Sequence, residues 1–385
     1  MPNREVLILG AGVAGPALAY WLARFNFHPV VVEKARGLRS SGNPVDVKGP
    51  AVQVAEKMRI MPQLQAAATG VTGTTLLDLA GRPMARLPMT SEKRRDVEIS
   101  RADLATIVYE AAHDGAEFLF GDTVVDLTQD PAGVDVTFEQ AAPRRFDLVI
   151  GSDGIHSTVR RLAFGPEQQY ARDLGMYLAT VPLPAEAIEF PHDMVVHNSP
   201  GRLLLVHPGR DQPMAMFVFR GTTDGYDRRD RVTQKRILAD AYDGAGWRAP
   251  ELVEAFREHP DPYFDRLNAI RIDGWSRGRV GLLGDSASSV AVFGDGSTLA
   301  VAGAHTLAEA LHAHPEDHAR AFRQYEATHR RLVNPKQRQI GPMASVLVPR
   351  TARGLTARNA AARALVGVTG KAFAPTIART IEANP

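Results

Sequence analysis

Apolar and polar positions follow two different patterns along the chain. Near the N-terminus, the apolar residues 5–9 predict a buried strand, followed by a helix from Pro16 to Phe25 and a strand from Pro29 to Val32. The same succession of strand, turn and helix returns in residues 101–165 and again after Asn268. This alternation is typical of a doubly wound sheet of mainly parallel strands.

The middle of the chain has shorter apolar stretches. Residues 194–197, 203–206 and 214–219 read as strands that are separated by turns containing proline and glycine. Such spacing predicts an antiparallel sheet. Residues 72–98 are expected to add further strands to it, whereas the last part of the chain reads as helical.

The predicted fold class is therefore α/β, with a discontinuous Rossmann-like domain that contains an inserted antiparallel β-sheet domain. The Rossmann-like segments are assigned to residues 1–72, 101–168 and 269–330. The inserted domain takes residues 73–100 and 169–268, and residues 331–385 form a C-terminal helical region.

Composition narrows the class of protein. The chain has 385 residues, of which 44% are hydrophobic and 23% charged, as in ordinary globular proteins. A net charge of +2 gives no reason to expect a nucleic-acid partner. The absence of cysteine excludes disulfides, thiolate metal sites and cysteine catalysis. We expect a cytoplasmic protein without membrane association, since neither a signal-type segment nor a run of about 18 apolar residues occurs.

The first strand leads into a glycine motif for binding a dinucleotide. Gly10 allows a tight turn, Gly12 lets a pyrophosphate approach the backbone, and Gly15 lets the helix pack closely on the strand. Glu33, at the end of the next strand, can bind the hydroxyls of an adenosine ribose, which favours FAD or NAD over NADP. The candidate cofactor-binding residues of this segment are Gly10, Gly12, Ala14, Gly15, Glu33 and Lys34.

Two later strands also end in glycine and a carboxylate. The first leads to Asp153 and Gly154, and the second to Asp285. Ligands of doubly wound sheets gather at the carboxyl ends of the strands, so these residues are candidates for cofactor binding, together with Arg101 at a helix start. Taken singly, each is also compatible with an ordinary turn.

The order and spacing of the three motifs resemble the class A flavoprotein monooxygenases, which share the para-hydroxybenzoate hydroxylase fold. The resemblance covers nearly the whole chain. It is closest to the actinobacterial branch that includes the tetracycline-inactivating monooxygenases, through residues 44–51 and the helix with Tyr325 and Glu326. It implies that the discontinuous domain is an FAD domain and the inserted sheet a substrate domain.

The same resemblance implies roles for individual residues. Glu33, Arg101 and Asp285 would hold FAD, Asp153–Gly154 would belong to a motif associated with both FAD and NAD(P)H, and Asp46 would lie near the isoalloxazine ring. NADH or NADPH would reduce the flavin transiently. Molecular oxygen would then form a flavin C4a-hydroperoxide that oxygenates the substrate. No side chain is assigned as a catalytic acid or base.

One segment departs from the family pattern. Residues 286–297 lack the proline that usually follows the third motif, although Gly294, Gly296 and the adjoining Ser297 can still offer N–H groups to the pyrimidine end of the flavin. Asp295 lies between the two glycines, where a carboxylate would repel a reduced flavin. We therefore expect its side chain to face solvent.

The substrate is expected to be hydrophobic, of aromatic or polyketide type, and to lie between the flavin and the antiparallel sheet. For the apolar candidates on the strand 214–219, packing within the core is the favoured role and substrate contact the alternative. For the histidines, a structural or exposed position is the more common role. A metal site around His312, His314 and His318 is not expected, because Pro315 interrupts the helix. The candidate substrate residues are His197, His207, Met214, Met216, Phe217, Phe219 and Phe293.

Three functional interpretations agree with the sequence. The first is an FAD-dependent, NAD(P)H-consuming monooxygenase. The second is a flavoenzyme of the same fold, such as a reductase, dehydrogenase or cyclase, that does not activate oxygen. The third is a non-enzymatic protein that binds a flavin or another small molecule. A plain NAD dehydrogenase is a lesser rival.

Overall fold

The computed structural model describes residues 5–38, 42–88, 95–221, 226–290 and 294–368, with the backbone alone for residues 365–368. The described residues divide into two compact units, each assembled from three stretches of chain. The first unit draws on Met1–Gly70, Ser91–Gly175 and Arg266–Met343. The second unit draws on Val71–Thr90, Met176–Asp265 and Ala344–Pro385.

Strands and helices are distributed along the whole described chain. The strands are β1 (Glu5–Leu9), β2 (His28–Glu33), β3 (Pro44–Val47), β4 (Gly73–Leu77), β5 (Pro83–Pro88), β6 (Val97–Ser100), β7 (Glu117–Phe120), β8 (Val124–Gln129), β9 (Val134–Phe138), β10 (Arg144–Phe146), β11 (Leu148–Gly151), β12 (Ala171–Pro182), β13 (Asp193–Ser199), β14 (Arg202–His207), β15 (Met214–Arg220), β16 (Tyr263–Ile270), β17 (Ser276–Arg277) and β18 (Val280–Leu282). The α-helices are α1 (Ala14–Arg24), α2 (Pro50–Met58), α3 (Met61–Ala66), α4 (Arg101–Ala112), α5 (Thr158–Ala163), α6 (Arg231–Tyr242), α7 (Ala249–Glu258), α8 (Asp295–Ala313), α9 (His318–Leu347) and α10 (Ala352–Val368).

A six-stranded sheet forms the centre of the first unit, in the order β17-β18-β11-β1-β2-β7. β1 pairs in parallel with β2 and with β11, so Leu9 lies beside Val32 on one side and Gly151 on the other. β1 and β2 are buried along most of their length, as expected for parallel strands with both faces covered. The predicted α/β class is confirmed.

The strand predicted near residues 97–99 does not join the antiparallel sheet. It forms β6, which pairs with β3 in a separate two-stranded sheet, with Asp46 opposite Glu98. β6 runs directly into α4, and Ser100 caps that helix by accepting a hydrogen bond from the N–H of Asp103. This direct connection keeps β6 within the first unit.

The second unit contains a seven-stranded sheet in the order β16-β12-β15-β14-β13-β4-β5. β12, β15, β14 and β13 pair antiparallel to their neighbours in this series, as predicted, but β13 pairs in parallel with β4. The hairpin of β4 and β5 comes from an earlier stretch of chain, and no short connection therefore imposes an antiparallel direction on this pair.

The helices of the first unit include long and largely buried elements. α8 is buried at most of its positions, and α9 contains Pro335 and Pro342 within its length. Each proline removes one backbone hydrogen-bond donor from the helix.

None of the helices in the described ranges combines the length and the apolar character that crossing a bilayer requires.

Candidate functional site

Two glycines in the turn between β1 and α1 allow close packing. Gly10 has a φ of +106°, and an ideal Cβ on it would lie 2.7 Å from the carbonyl oxygen of Ser152. An ideal Cβ on Gly15 would lie 2.0 Å from the carbonyl oxygen of Gly10. Only glycine at these positions lets β1, α1 and the residues after β11 approach so closely.

Gly12 differs from its two neighbours in the motif, because an ideal Cβ on it meets no protein atom within 4 Å. α1 begins two residues later at Ala14, and no described side chain caps its N-terminus. The free N–H groups at this end carry partial positive charge. The open space and the uncapped helix end together fit a pyrophosphate group.

Glu33 at the end of β2 is held beside this turn. Its Oε2 accepts a hydrogen bond from the N–H of Ala11 at 2.9 Å, and its Oε1 accepts one from the N–H of Ala35 at 2.9 Å. Each carboxylate oxygen has a second lone pair, so the fixed carboxylate can still accept from ribose hydroxyls. The adjoining Lys34 is exposed.

The carboxylate of Asp153 is engaged by the first turn of α5. Its Oδ1 accepts from the hydroxyl of Ser157 at 2.5 Å, and its Oδ2 accepts from the N–H of Thr158 at 2.6 Å. Burial raises the pKa of Asp153, and these hydrogen bonds act against that effect. Asp153 therefore shapes the loop after β11.

Ser286 joins the loop after β11 to the loop after β18. Its hydroxyl accepts from the N–H of Gly154 at 3.0 Å, and its carbonyl accepts from the buried guanidinium of Arg160 at 3.0 Å. Ser286 is not among the site residues predicted from the sequence. Its position directly after Asp285 was the available signal.

Asp285 lies in the short 3-10 helix Gly284–Ser286. Burial raises the pKa of Asp285, and the positive charge of Arg101 opposes the rise. An ideal Cβ on Gly296 would lie 3.9 Å from Oδ1 of Asp285. The structure thus brings Asp285 close to the first turn of α8 and within electrostatic reach of Arg101, which opens α4.

Asp46 lies beside the N-terminus of α8. Gly294 has a φ of +73°, and an ideal Cβ on it would lie 3.0 Å from Oδ2 of Asp46. α8 begins at Asp295, no described side chain caps it, and Ser297 is buried in its first turn. The structure therefore brings Asp46 together with the glycines predicted to face a flavin.

Asp295 does not face solvent, contrary to the expectation from the sequence. It is only 6% exposed, and its two carboxylate oxygens pair with Lys48 at 3.0 Å and with Lys336 at 2.9 Å. Lys48 also pairs with Asp46 at 2.8 Å. We call Asp46, Lys48, Asp295 and Lys336 the ion cluster. Two lysines from distant parts of the chain make burial of Asp295 possible.

Thr298 connects the end of β3 to α8 through uncharged hydrogen bonds. Its hydroxyl donates to the carbonyl of Asp46 at 2.8 Å and accepts from the N–H of Lys48 at 3.2 Å. The end of β3 is thereby attached to the first turn of α8 independently of the ion pairs.

The candidate substrate residues that the structure describes lie on strands of the second unit. His197 is 3% exposed and lies near the Trp247 ring, and His207 is 1% exposed and accepts from the N–H of Gly209 through Nδ1. Burial lowers the pKa of His197, which favours its neutral form. Phe293 lies outside the described residues.

The apolar candidates on β15 differ in burial. Phe217 and Phe219 are in the hydrophobic core of the second unit, and both contact the ring of Tyr242. Met214 is also buried, whereas Met216 is partly exposed. This placement favours core packing over substrate contact for the two phenylalanines.

The histidines near the end of α8 have other contacts. His312 stacks on Phe25, and His314 hydrogen bonds to Gln324 at 2.7 Å. Across the described part of the chain, no group of three or more histidine, aspartate and glutamate side chains is placed to hold a metal ion.

The sheet, the glycine turn and the carboxylates at its strand ends define a dinucleotide-binding flavoprotein fold. A family model described as FAD binding domain matches residues 3–337, and the chain belongs to this family. The protein is an FAD-dependent monooxygenase, and it therefore acts on molecular oxygen and a small-molecule substrate.

Relatives agree with this membership. The uncharacterised protein Rv1260 of Mycobacterium tuberculosis is 36% identical over 87% of this chain and 92% of its own length. A flavin-dependent monooxygenase of Legionella longbeachae is 32% identical over 87% of both chains. The crystal structure of the tetracycline destructase Tet(51) matches with a TM-score of 0.82 at 28% identity, covering 95% of this chain and 97% of the other. The resemblance inferred from the motifs is confirmed, which favours the first of the three interpretations.

Proposed function

We propose that this monooxygenase takes hydride from NADH or NADPH and oxygenates a hydrophobic small molecule of aromatic or polyketide type. The bound FAD supplies the redox chemistry, including the activation of oxygen. The protein residues bind and orient the cofactor and control the charge around it. The observation that carries the dependence on FAD is the open space at Gly12, flanked by the uncapped end of α1 and the fixed carboxylate of Glu33.

The FAD-binding residues are proposed from their positions at the strand ends and helix starts. The turn at Gly12 and the first N–H groups of α1 would hold the pyrophosphate, and Glu33 would hold the adenosine ribose. Arg101 and Asp285 would hold ribityl or phosphate oxygens, and the start of α8 would face the flavin. The full set is Gly10, Gly12, Ala14, Gly15, Glu33, Lys34, Asp46, Arg101, Asp153, Gly154, Asp285, Gly294, Gly296 and Ser297.

The use of a nicotinamide donor is supported by the family and by one feature of the sequence. The chain contains a single glycine motif of the type Gly-x-Gly-x-x-Gly followed by a helix, and this motif is proposed to bind FAD. NADH or NADPH would therefore bind transiently, without a Rossmann domain of its own.

The hydrophobic character of the substrate is supported by comparison with named relatives. The Tet(51) structure is that of a tetracycline destructase. The second unit of this chain carries buried strands, and the partly exposed Met216 on β15 is the apolar candidate that remains open to contact. His207 is proposed as a polar contact, because it pairs with Met214 and therefore lies on the face of the sheet that carries Met216. His197 pairs with Leu204, which pairs with Phe217, so it lies on the opposite, core face and is not proposed as a contact.

The decisive experiment follows labelled oxygen. The purified protein with FAD is supplied with NADH or NADPH and a panel of phenols and polyketides, under an atmosphere of ¹⁸O₂. We expect nucleotide oxidation that a hydrophobic substrate stimulates, and one labelled oxygen atom in the product. A preference for small charged acids would overturn the substrate proposal. Nucleotide oxidation that no panel member stimulates, with no label in any product, would overturn the proposed reaction.

A further inference from the structure

The ion cluster brings four charged side chains together at the start of α8. Lys48 bridges the carboxylates of Asp46 and Asp295, and Lys336 takes the remaining oxygen of Asp295. Two carboxylates and two ammonium groups give a net charge of zero when all four are ionised. The nearby Glu98 lies opposite Asp46 in the β3–β6 pair and hydrogen bonds to Thr69.

The electrostatics of the cluster favour the ionised forms of Asp295 and Lys48. Burial acts to raise the pKa of Asp295, but hydrogen bonds from Lys336 and Lys48 outweigh it and lower that pKa. Burial likewise acts to lower the pKa of Lys48, but Asp46 and Asp295 raise it. For Asp46, burial raises the pKa against the pull of Lys48.

Asp295 has two opposite effects at this position. A carboxylate in the first turn of a helix interacts favourably with the helix dipole, and so stabilises α8. The same carboxylate cancels the positive potential that the helix end would offer to an anion. Lys48 and Lys336 offset that loss, because each brings a positive charge to within 3.0 Å of Asp295.

We propose that the ion cluster sets the reduction potential of the bound FAD, with Lys336 compensating the buried charge of Asp295. The inference rests on the proposed function in one respect, namely that Gly294 and Gly296 face the flavin. Reduction by hydride transfers two electrons and one proton, so the flavin gains one negative charge. The neutral cluster allows that charge to develop without repulsion from Asp295.

The direction in which each substitution shifts the reduction potential follows from the net charge that it leaves on the cluster. Lys336→Gln leaves the cluster with one extra negative charge, which disfavours the reduced flavin. Asp295→Asn leaves one extra positive charge, which favours it. We expect each to change the equilibrium constant for two-electron reduction about tenfold, the order produced by one unit charge in a partly buried site. Tenfold corresponds to about 30 mV for a two-electron couple.

The test measures the midpoint potential of the FAD-loaded protein by stepwise anaerobic reduction against a reference dye. We expect Lys336→Gln to lower the potential, Asp295→Asn to raise it, and the double variant to return close to the wild-type value. Lys336→Arg keeps the charge and should keep the potential. Lys336 is suitable for substitution because its side chain is 41% exposed.

Thr298→Val is the matched control for a structural effect. It removes the uncharged link between β3 and α8 while leaving all four charges in place. We expect it to lower the melting temperature and leave the potential unchanged. The proposal is overturned if both single charge variants leave the potential unchanged, if they shift it in the same direction, or if Thr298→Val shifts it as much as they do.

A failure of the proposed role of the ion cluster can be distinguished from a failure of the proposed function. The potential is measured without nicotinamide donor or substrate, and therefore does not depend on which substrate the enzyme oxygenates. Unchanged potentials together with labelled product would reject the role of the ion cluster and retain the oxygenation. Shifted potentials without labelled product would retain the role of the ion cluster and reject the oxygenation.

Discussion

Arg86 on β5 donates two hydrogen bonds of 2.6 Å each to the buried carboxylate of Asp193 on β13. Asp193 is 6% exposed, and Thr75 on the strand between them also donates to it at 2.7 Å. β4 joins β13 through a parallel pair, and this charge pair crosses that join. It therefore connects the early hairpin to the rest of the sheet in the second unit.

Removing Arg86 should destabilise the second unit. We expect Arg86→Met to lower the free energy of unfolding by about 3 kcal/mol, because it leaves a buried carboxylate without its charged partner. Arg82→Met is the matched control in the same hairpin, since Arg82 pairs with Asp78 but its side chain is 79% exposed. That control should cost less than about 0.5 kcal/mol. Equal losses in urea unfolding would contradict the argument.

Gly12 and Gly15 should respond differently to alanine. Gly15→Ala places a Cβ against the carbonyl of Gly10 and should lower the unfolding free energy of FAD-free protein by about 3 kcal/mol. Gly12→Ala meets open space, so stability should be unchanged or higher by up to about 1 kcal/mol. FAD affinity should nevertheless fall at least tenfold in Gly12→Ala. Thermal unfolding and FAD titration of both variants check this, and undiminished FAD binding by Gly12→Ala would remove Gly12 from the site.

Glu33 should contribute to FAD affinity through its charge. We expect Glu33→Gln to weaken FAD binding about tenfold to a hundredfold, because a hydrogen bond to a charged group is worth about 1.5–3 kcal/mol. Fluorescence titration of FAD into stripped protein measures the change. Glu110→Gln, on the exposed side of α4, is the matched control and should bind FAD as the wild type does. Wild-type affinity in Glu33→Gln would contradict the assignment.

His329 should make the first unit sensitive to acid. It is 2% exposed beside Tyr325 and Trp275, and burial lowers the pKa of His329 to about 4. The unfolded chain takes up this proton near pH 6.5. Stability is therefore fully present above pH 6.5 and falls as the pH drops towards 4, by up to about 3 kcal/mol.

His329→Gln tests that dependence, because it should flatten the slope of unfolding free energy against pH between 6.5 and 4. A slope that is unchanged in His329→Gln would show that other groups account for the acid sensitivity.

The sequence was informative where local geometry decides the structure. The positive φ of Gly10 and the close contact at Gly15 follow from a motif whose residues are adjacent in the chain. The α/β class followed for the same reason, since each strand and helix carries its own pattern of apolar positions.

Contacts between residues that are far apart in the sequence could not be predicted in the same way. Lys48 and Lys336 gave no signal as partners of Asp295, because β3 and α9 meet α8 only in the folded chain. The expected exposure of Asp295 was therefore wrong. β6 was assigned to the larger sheet because an isolated strand pattern does not specify its neighbour.

The central sheet of the first unit has a consequence for synthesis on the ribosome. β1 pairs with β11, and β11 pairs with β18, so adjacent strands come from widely separated parts of the chain. Until β18 has left the exit tunnel, β11 presents an open edge that other chains can pair with. The sheet of the second unit also contains β4 and β5, which come from an earlier stretch of the chain than its other strands. The sheet of each unit is thus complete only after strands from distant stretches of the chain have emerged, and early release of a shortened chain would favour aggregation.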